Sequence, residues 1–495
     1  MADVCLVLEG TYPYVTGGVS SWVHNLIRAL PRIRFSLLTI LASGQVYREY
    51  KYELPSNVTS IANLFIHEHD LSKQMNRGSS RGVYDLVYDF HQNMRAGDYS
   101  LLPDLFRLAI DPETRVISPR ELFYGRRTWQ MLTRMYQERD LQESFVDYFW
   151  TWRYAHLPVL RLFDAVIPEA KIYHTISTGY AGTLAAFANI LHGAPVILTE
   201  HGIYTNERRI EIEQSRWIYE QESTSPVITK TVSPFKQMWI SLFDHLSRVT
   251  YWYSKEIITL FENNRVMQVI GGADPGRTRI IPNGINLSRF PRKKDYEAQT
   301  EQLCVGFVGR VVPIKDVKTF IRACSIVRKR FQNIRFPVVG PFDEDQEYFE
   351  ECKTLVQMFG ISDCLEFTGR ANVAELYPEM DVVVLTSVSE AQPLVILEAN
   401  CCGVPCVATD VGACSELLNG RTPEDVALGP SGLVTPIANP QATAEALIKL
   451  LGDPELRKNM GTAGIQRVQR FYTEDDLNFA YLDLYQELMR ANKAR

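Results

Sequence analysis

LCVGFVGRVVPIKD, residues Leu303 to Asp316, reads as a buried strand that runs into a glycine-bearing loop and then a helix start. Apolar side chains crowd Leu303–Val308, while Gly309 and Pro313 punctuate the loop. Asp316 is a natural N-cap for the amphipathic run Val317–Phe331. VCLVLEGTYPYVTGGVSSW, Val4 to Trp22, follows the same plan near the start of the chain. Each half then alternates short β-rich runs with longer amphipathic ones, which predicts an α/β protein of parallel sheets wrapped by helices. Strands are expected at Val4–Leu8, Phe35–Leu41, Ile172–His174 and Val196–Thr199, and again at Leu303–Val308, Arg335–Val339, Leu365–Thr368, Asp381–Leu385 and Cys406–Thr409. Helices are expected at Val19–Leu30, Thr178–Leu191, Val317–Phe331, Asp345–Phe359, Pro393–Cys402 and Ala442–Leu451. Open α/β sheets bind ligands outside the carboxyl ends of their strands. Two such lobes facing each other would hold the active site in the cleft between them.

The bulk properties agree with two domains. A chain of 495 residues exceeds what one hydrophobic core normally organises. Its 46% hydrophobic and 22% charged residues are those of a globular enzyme. A net charge of −6 argues against nucleic acid as a partner, because phosphate backbones select basic surfaces. The basic runs Arg292–Lys294 and Arg328–Arg330 read as solvated faces. The start, MADVCLVLEG, carries no basic leader, and no apolar run approaches the roughly 20 residues that span a bilayer. The nine cysteines are odd in number and sit mostly in apolar runs, so reduced thiols and a cytoplasmic setting are expected.

Between about residues 67 and 165 the alternation lapses into an aromatic- and arginine-rich stretch that reads as helical, with one helix over Thr128–Trp150. It is taken as an insertion into a first domain covering 1–295. The polar stretch Pro291–Gln302 is the best linker, which gives a second domain at 296–472. A last helix, Glu474–Met489 with Thr473 as its cap, closes a segment 473–495 expected to pack back on the first domain.

Arg310 and Lys315 fall on the loop after the Leu303–Val308 strand. Two cations there suit a diphosphate that gains charge as it leaves. In EAQPLVILE, Glu390 to Glu398, Pro393 suits the first turn of a helix, whose free N–H groups near Leu394 and Val395 offer an anion site. Glu390 lies on the loop before it. Glu398 sits in an otherwise apolar helix, where ribose hydroxyls would satisfy a carboxylate. Glu200-His201-Gly202 ends a strand, so His201 can meet a sugar hydroxyl or a forming charge. Gly17 and Gly18 sit at a helix start and leave room for a phosphate or sugar. Two patterns are read as decoys. Asp343-Glu344-Asp345 spells D-x-D but follows a strand end and starts a helix; Cys401, Cys402 and Cys406 lack the partner set a zinc site requires.

The set TGGVSSW, TEHG, IPNGINLSRF, GRVVPIKD and EAQPLVILEANCCGVPCVATDVG resembles the family-4 retaining glycosyltransferases of GT-B fold. The E-x₇-E element of Glu390 and Glu398 is its most specific part. GTYPYVTGGVSSWVHNLI and ENNRVMQVIGGADPGRTRIIPNGIN resemble, more narrowly, the exopolysaccharide glycosyltransferases of the Pel type. The resemblance implies two facing Rossmann-like domains, a UDP-sugar donor with UDP-glucose favoured, and transfer of a hexose or N-acetylhexosamine with retention to a growing exopolysaccharide. It implies that Arg310 and Lys315 hold the pyrophosphate, Glu398 the ribose, Glu390 and His201 the sugar, and Gly18 the phosphates. No metal and no other cofactor are expected. Membrane-embedded synthase partners would recruit the protein to the inner face of the membrane. Asn286 stands where a frequent family pattern has Asp, and it is expected to serve the loop. Two other classes share the scaffold: a UDP-N-acetylglucosamine 2-epimerase, and a non-catalytic nucleotide-sugar-binding scaffold.

Overall fold

A computed structural model describes residues 1–44, 49–67, 81–110, 122, 125–139, 143–215, 218, 232–293 and 302–493. They form two compact units. The first comprises Met1–Thr259, Arg265–Arg279 and Leu482–Arg495; the second comprises Leu260–Asn264 and Ile280–Tyr481.

The first unit is built on strands β1 (Ala2–Glu9), β2 (Phe35–Leu41), β3 (Val58–Phe65), β4 (Ala170–Thr175), β5 (Val196–Glu200), β6 (Ser254–Thr259) and β7 (Thr278–Ile280). Their order in the sheet is β3-β2-β1-β4-β5-β6-β7, and the pairs from β3 through β6 are parallel. β1 and β2 are apolar on both faces and buried along nearly all their length, as expected of central parallel strands covered by helices. The direction of winding reverses between β1 and β4, so the carboxyl ends of these strands border the crevice where such sheets bind ligands. The helix Tyr180–His192 packs on that centre through an almost wholly buried run of small and apolar residues, and it stops at left-handed Gly193.

The second unit has strands β8 (Leu303–Val308), β9 (Ile334–Val339), β10 (Leu365–Gly369), β11 (Val382–Leu385), β12 (Cys406–Thr409) and β13 (Gly432–Thr435), ordered β10-β9-β8-β11-β12-β13 with every pair parallel. It repeats the first unit's winding. A fully buried guanidinium holds together the loops beyond β12: Arg467 donates to the Asp425 carboxylate (2.6 Å) and to the carbonyls of Leu418, Asp425 and Gly429 at 2.8–3.1 Å.

Several expectations need correction. The Thr128–Trp150 stretch is not one helix: Arg126–Gln137 and Phe145–Arg161 are separate, because Ser144 caps the second by accepting the Val146 N–H. The strands β3, β6, β7 and β13 lie outside the expected set. Residues 280–293 group with the second unit rather than ending the first. The reason is local: Ile285 bridges Thr473 in parallel, the Lys293 N–H donates to the Cys402 carbonyl, and the Lys293 ammonium donates to Asp381 at 3.0 Å. Lys293 is therefore a nearly buried ion-pair partner, not a solvated linker cation. Most of the expected linker, 294–301, lies outside the described residues. Leu260–Asn264 joins the second unit because Leu260 and Phe261 enter its core and Glu416 accepts the Glu262 N–H. The last helix runs Glu474–Lys493 under a Thr473 cap; its residues up to Tyr481 belong to the second unit and those from Leu482 to the first.

In the first unit His174 lies fully buried on β4, with Nδ1 2.7 Å from the Tyr485 hydroxyl of that last helix and Nε2 2.9 Å from Thr199 Oγ1. Burial drives its pKa down to about 3. The neutral ring is thus favoured on folding, while the unfolded chain binds a proton near the ordinary value. The resulting stability is complete above about pH 6.5 and is lost as pH falls toward 3, at ~1.4 kcal/mol per pH unit. Buried Glu9 and Glu200 have raised pKa values and act in the opposite sense. The expected result is that wild type minus His174→Gln, measured by urea denaturation, shows a stability difference that shrinks on acidification from pH 7 to 4.5. A difference independent of pH would contradict the burial argument.

Candidate functional site

The candidate residues form two groups, one at the carboxyl edge of each sheet. In the first unit, Gly17 caps and Gly18 begins the helix Gly18–Ala29, which follows the β1 loop. A Cβ on either glycine would meet open space, so neither is forced by packing. His201 follows β5 directly; its ring lies edge-on to Trp22 of that helix, with centroids 4.8 Å apart. Burial lowers the His201 pKa to about 4, which leaves a neutral imidazole at neutral pH. TGGVSSW and TEHG therefore meet through Trp22, a residue to which neither motif alone assigns a role.

Beside His201, Glu200 is a structural hub rather than a reacting group. Its carboxylate accepts from Tyr251 (2.9 Å), Gln268 (3.0 Å) and the Tyr204 N–H (3.1 Å), so its lone pairs are committed. Nothing in TEHG signals this.

In the second unit the site is assembled around Glu390. Lys315 approaches Glu390 Oε1 at 2.5 Å, and the Ser387 hydroxyl donates to the same oxygen at 2.6 Å. Both ion-pair partners are largely shielded, with side chains 18% and 11% exposed. Two loops are tied to bring them together: the Val388 N–H donates to the Ile314 carbonyl, and Thr386 Oγ1 donates to the carbonyls of Lys315 and Asp316. Asp316 adopts a left-handed φ of 44° and caps the helix Val317–Arg330 by accepting the Thr319 N–H. Two glycines are required here. At Gly412 (φ +54°) a Cβ would lie 2.1 Å from the Glu390 carbonyl oxygen, and at Gly340 (φ +145°) it would lie 2.1 Å from that of Gly309.

Arg310 is on the same loop but points to a different partner, Glu344, at 2.5 and 2.8 Å. Both side chains are about half exposed. A surface pair of this kind is worth at most about 1 kcal/mol, so an incoming phosphate can displace Glu344 at little cost. Lys315 is held far more firmly.

Glu398 lies on the helix Leu394–Cys402 and accepts from the Tyr377 hydroxyl at 2.7 Å. Burial raises its pKa, opposed by that hydrogen bond and by the charge of Arg289. Pro393 is the N-cap rather than the first helical residue, which leaves the N–H groups of Leu394 and Val395 at the start of the helix; Leu394 is 42% exposed. Gln392 accepts the Asn283 N–H at 2.7 Å and so fastens IPNG to this helix start. Asn286 accepts the Ser288 N–H and serves its loop.

The decoys have structural employment. Glu344 pairs with Arg310, Asp345 caps the helix Gln346–Met358, and Asp343 lies 3.8 Å from Arg370. Cys401, Cys402 and Cys406 are buried free thiols whose pKa values burial pushes up. Among the described residues no group of three or more His, Cys, Asp or Glu is placed to hold a metal ion.

Residues 2–276 match the family described as "Domain of unknown function (DUF3492)", more than half of the chain. The chain belongs to the DUF3492 family. The DUF3492 segment holds Gly17, Gly18 and His201, while Arg310, Lys315, Glu390 and Glu398 fall within residues 288–467, which match "Glycosyl transferases group 1". Among curated proteins, the D-inositol 3-phosphate glycosyltransferase of Kribbella flavida is 28% identical over 242 residues, covering 46% of this chain and 53% of the relative. That of Streptomyces bingchenggensis is 31% identical over 235 residues, 44% of this chain and 50% of the relative. The chain thus spans about half the length of these relatives. Over the whole chain the fold resembles sucrose-phosphate synthase from Thermosynechococcus elongatus (TM-score 0.59, 18% identity, 99% of this chain and 100% of that one). It also resembles Anabaena Alr3699/HepE in complex with UDP and glucose (TM-score 0.56, 13% identity, 98% and 100%). The two α/β units are therefore those of the GT-B fold.

Proposed function

We propose that this DUF3492 protein is a metal-independent, retaining glycosyltransferase. It moves a hexose or N-acetylhexosamine from a UDP-sugar, UDP-glucose being favoured, to a growing exopolysaccharide. The observation that carries this reading is the shielded Lys315–Glu390 pair beside the exposed helix start at Leu394, within the group 1 segment. Negative charge grows on the UDP phosphate as the glycosidic bond to it breaks. Lys315, Arg310 and the N–H groups of Leu394 and Val395 stabilise that charge where another fold would use a divalent ion. Glu398 accepts the ribose hydroxyls. Glu390, fixed by Lys315 and Ser387, orients the sugar, with His201, Gly17 and Gly18 on the first unit serving sugar and phosphate. The acceptor attacks from the face the phosphate leaves, which retains configuration. Resemblance to PelF supports a place in Pel-type polymer synthesis, in the cytoplasm, with membrane-embedded synthase partners. Among the described residues no helix is long and apolar enough to cross a membrane.

A donor screen for UDP release tests this. The expected outcome is turnover of one UDP-sugar that survives chelation, with an anomeric product of unchanged configuration by NMR. Arg310→Ala and Glu398→Ala should each weaken donor use about tenfold or more, the loss of a charge-assisted contact. If both variants keep wild-type turnover and donor affinity, the site is wrong. Activity restored only by manganese after chelation would end the metal-independent reading.

A further inference from the structure

The helical insertion of the first unit borders a cavity of about 700 Å³. Part of its wall comes from the carboxyl edge of the sheet: Ile66 and His67 follow β3, Tyr180 opens the helix after β4, and Arg208 and Glu211 lie on the helix after β5. That edge is where open α/β sheets take their ligands. The helix Phe145–Arg161 supplies much of the rest through Asp147, Trp150 and Tyr154.

Trp150 and Tyr154 are one helical turn apart, and their rings stack with centroids 5.8 Å apart and planes 26° from parallel. They remain 46% and 59% exposed. Scattered exposed apolar residues need no explanation, but two stacked aromatic rings on a cavity wall, with Trp239 lining it from another helix, form a platform. Polar groups share the wall. Glu211 is paired with Arg208 at 2.8 Å, and Asp147 lies three residues before Trp150. A pyranose has an apolar C–H face and a rim of hydroxyls, so it fits aromatic faces edged by carboxylates and a guanidinium. Asp147 and Glu211 face Arg208 on the wall and Arg153 5.0 Å from the Trp150 ring centroid, so no excess of positive charge is left to draw an anionic polymer.

We propose that this cavity is a subsite for a neutral saccharide chain, stacked on Trp150 and Tyr154 with hydroxyls donated to Asp147 and Glu211. Calling that chain the acceptor rests on the glycosyltransferase reading above. The insertion thereby gains a function of its own, which is to hold the polymer.

The test uses the full chain, with cello- and chito-oligosaccharides followed by tryptophan fluorescence and calorimetry, and UDP affinity measured in parallel. At least one neutral oligomer should bind, and oligogalacturonate should bind markedly more weakly. Trp150→Ala and Tyr154→Ala should each weaken the neutral oligomer tenfold or more and raise its KM as acceptor, while UDP affinity stays at the wild-type value. Asp147→Asn, which keeps the packing, should weaken it less. No binding of any oligomer by wild type, equal binding of oligogalacturonate, or alanine variants with unchanged oligomer affinity would each overturn the proposal. Failure of wild type to bind UDP would instead overturn the functional reading and leave the saccharide measurement standing.

Discussion

Lys315→Ala is expected to lower kcat for the UDP-sugar about a hundredfold, on the order of 3 kcal/mol, with a smaller change in KM. The asymmetry follows from the reaction. On the proposed reading, Lys315 faces a charge that grows as the phosphate departs, so its contact would strengthen toward the transition state more than in the bound donor. Lys315 also has a second role, because its ammonium fixes Oε1 of Glu390. The two losses overlap, and Glu390→Gln combined with Lys315→Ala should cost clearly less than the sum of the single changes. Steady-state kinetics of the four proteins decide it. Additive losses would separate the two residues, and a Lys315→Ala enzyme with near wild-type kcat would remove the lysine from catalysis.

The largest expected effect on stability belongs to Arg467→Ala. The guanidinium is 0% exposed and the Asp425 carboxylate it meets is 2% exposed. Removing one partner of such a pair leaves a buried charge and, here, three carbonyls without their donor, a loss of about 3–5 kcal/mol. Chemical denaturation of the full chain should show the second unit unfolding at a lower midpoint, and Asp425→Asn on top of Arg467→Ala should recover part of the loss. A change below about 1 kcal/mol would mean that water reaches the site and solvates the carboxylate.

The architecture is legible in the sequence where local pattern and burial agree. β1, β2 and β8 are apolar on both faces because they are central, and they read plainly. The outermost strands β3 and β13 are only partly buried, and VTSIANLF and GLVT carry no continuous apolar run to betray them. β6 opens with Ser-Lys-Glu directly after a 20-residue helix, so its polar start hides it. The insertion fails as one helix because its break is a serine cap, a signal that aromatic density masks. In the candidate site, single motifs place Lys315 and Glu390 on loops after strands and Glu398 inside an apolar helix, since those positions are local properties. Partner choice is tertiary and stays hidden. That Tyr377 donates to Glu398, Lys315 to Glu390 and Arg310 to Glu344 depends on segments brought together by the sheet.

The shared last helix limits how this protein can be taken apart. Residues 482–493 complete the first unit and carry the Tyr485 hydroxyl bonded to His174, although the second unit's strands precede them in the chain. A protease nick near residue 300 would therefore leave an amino-terminal fragment short of one wall of its own core and a carboxyl-terminal fragment with an orphaned helical tail. The halves would have to stay associated, or each would need its missing piece restored in trans.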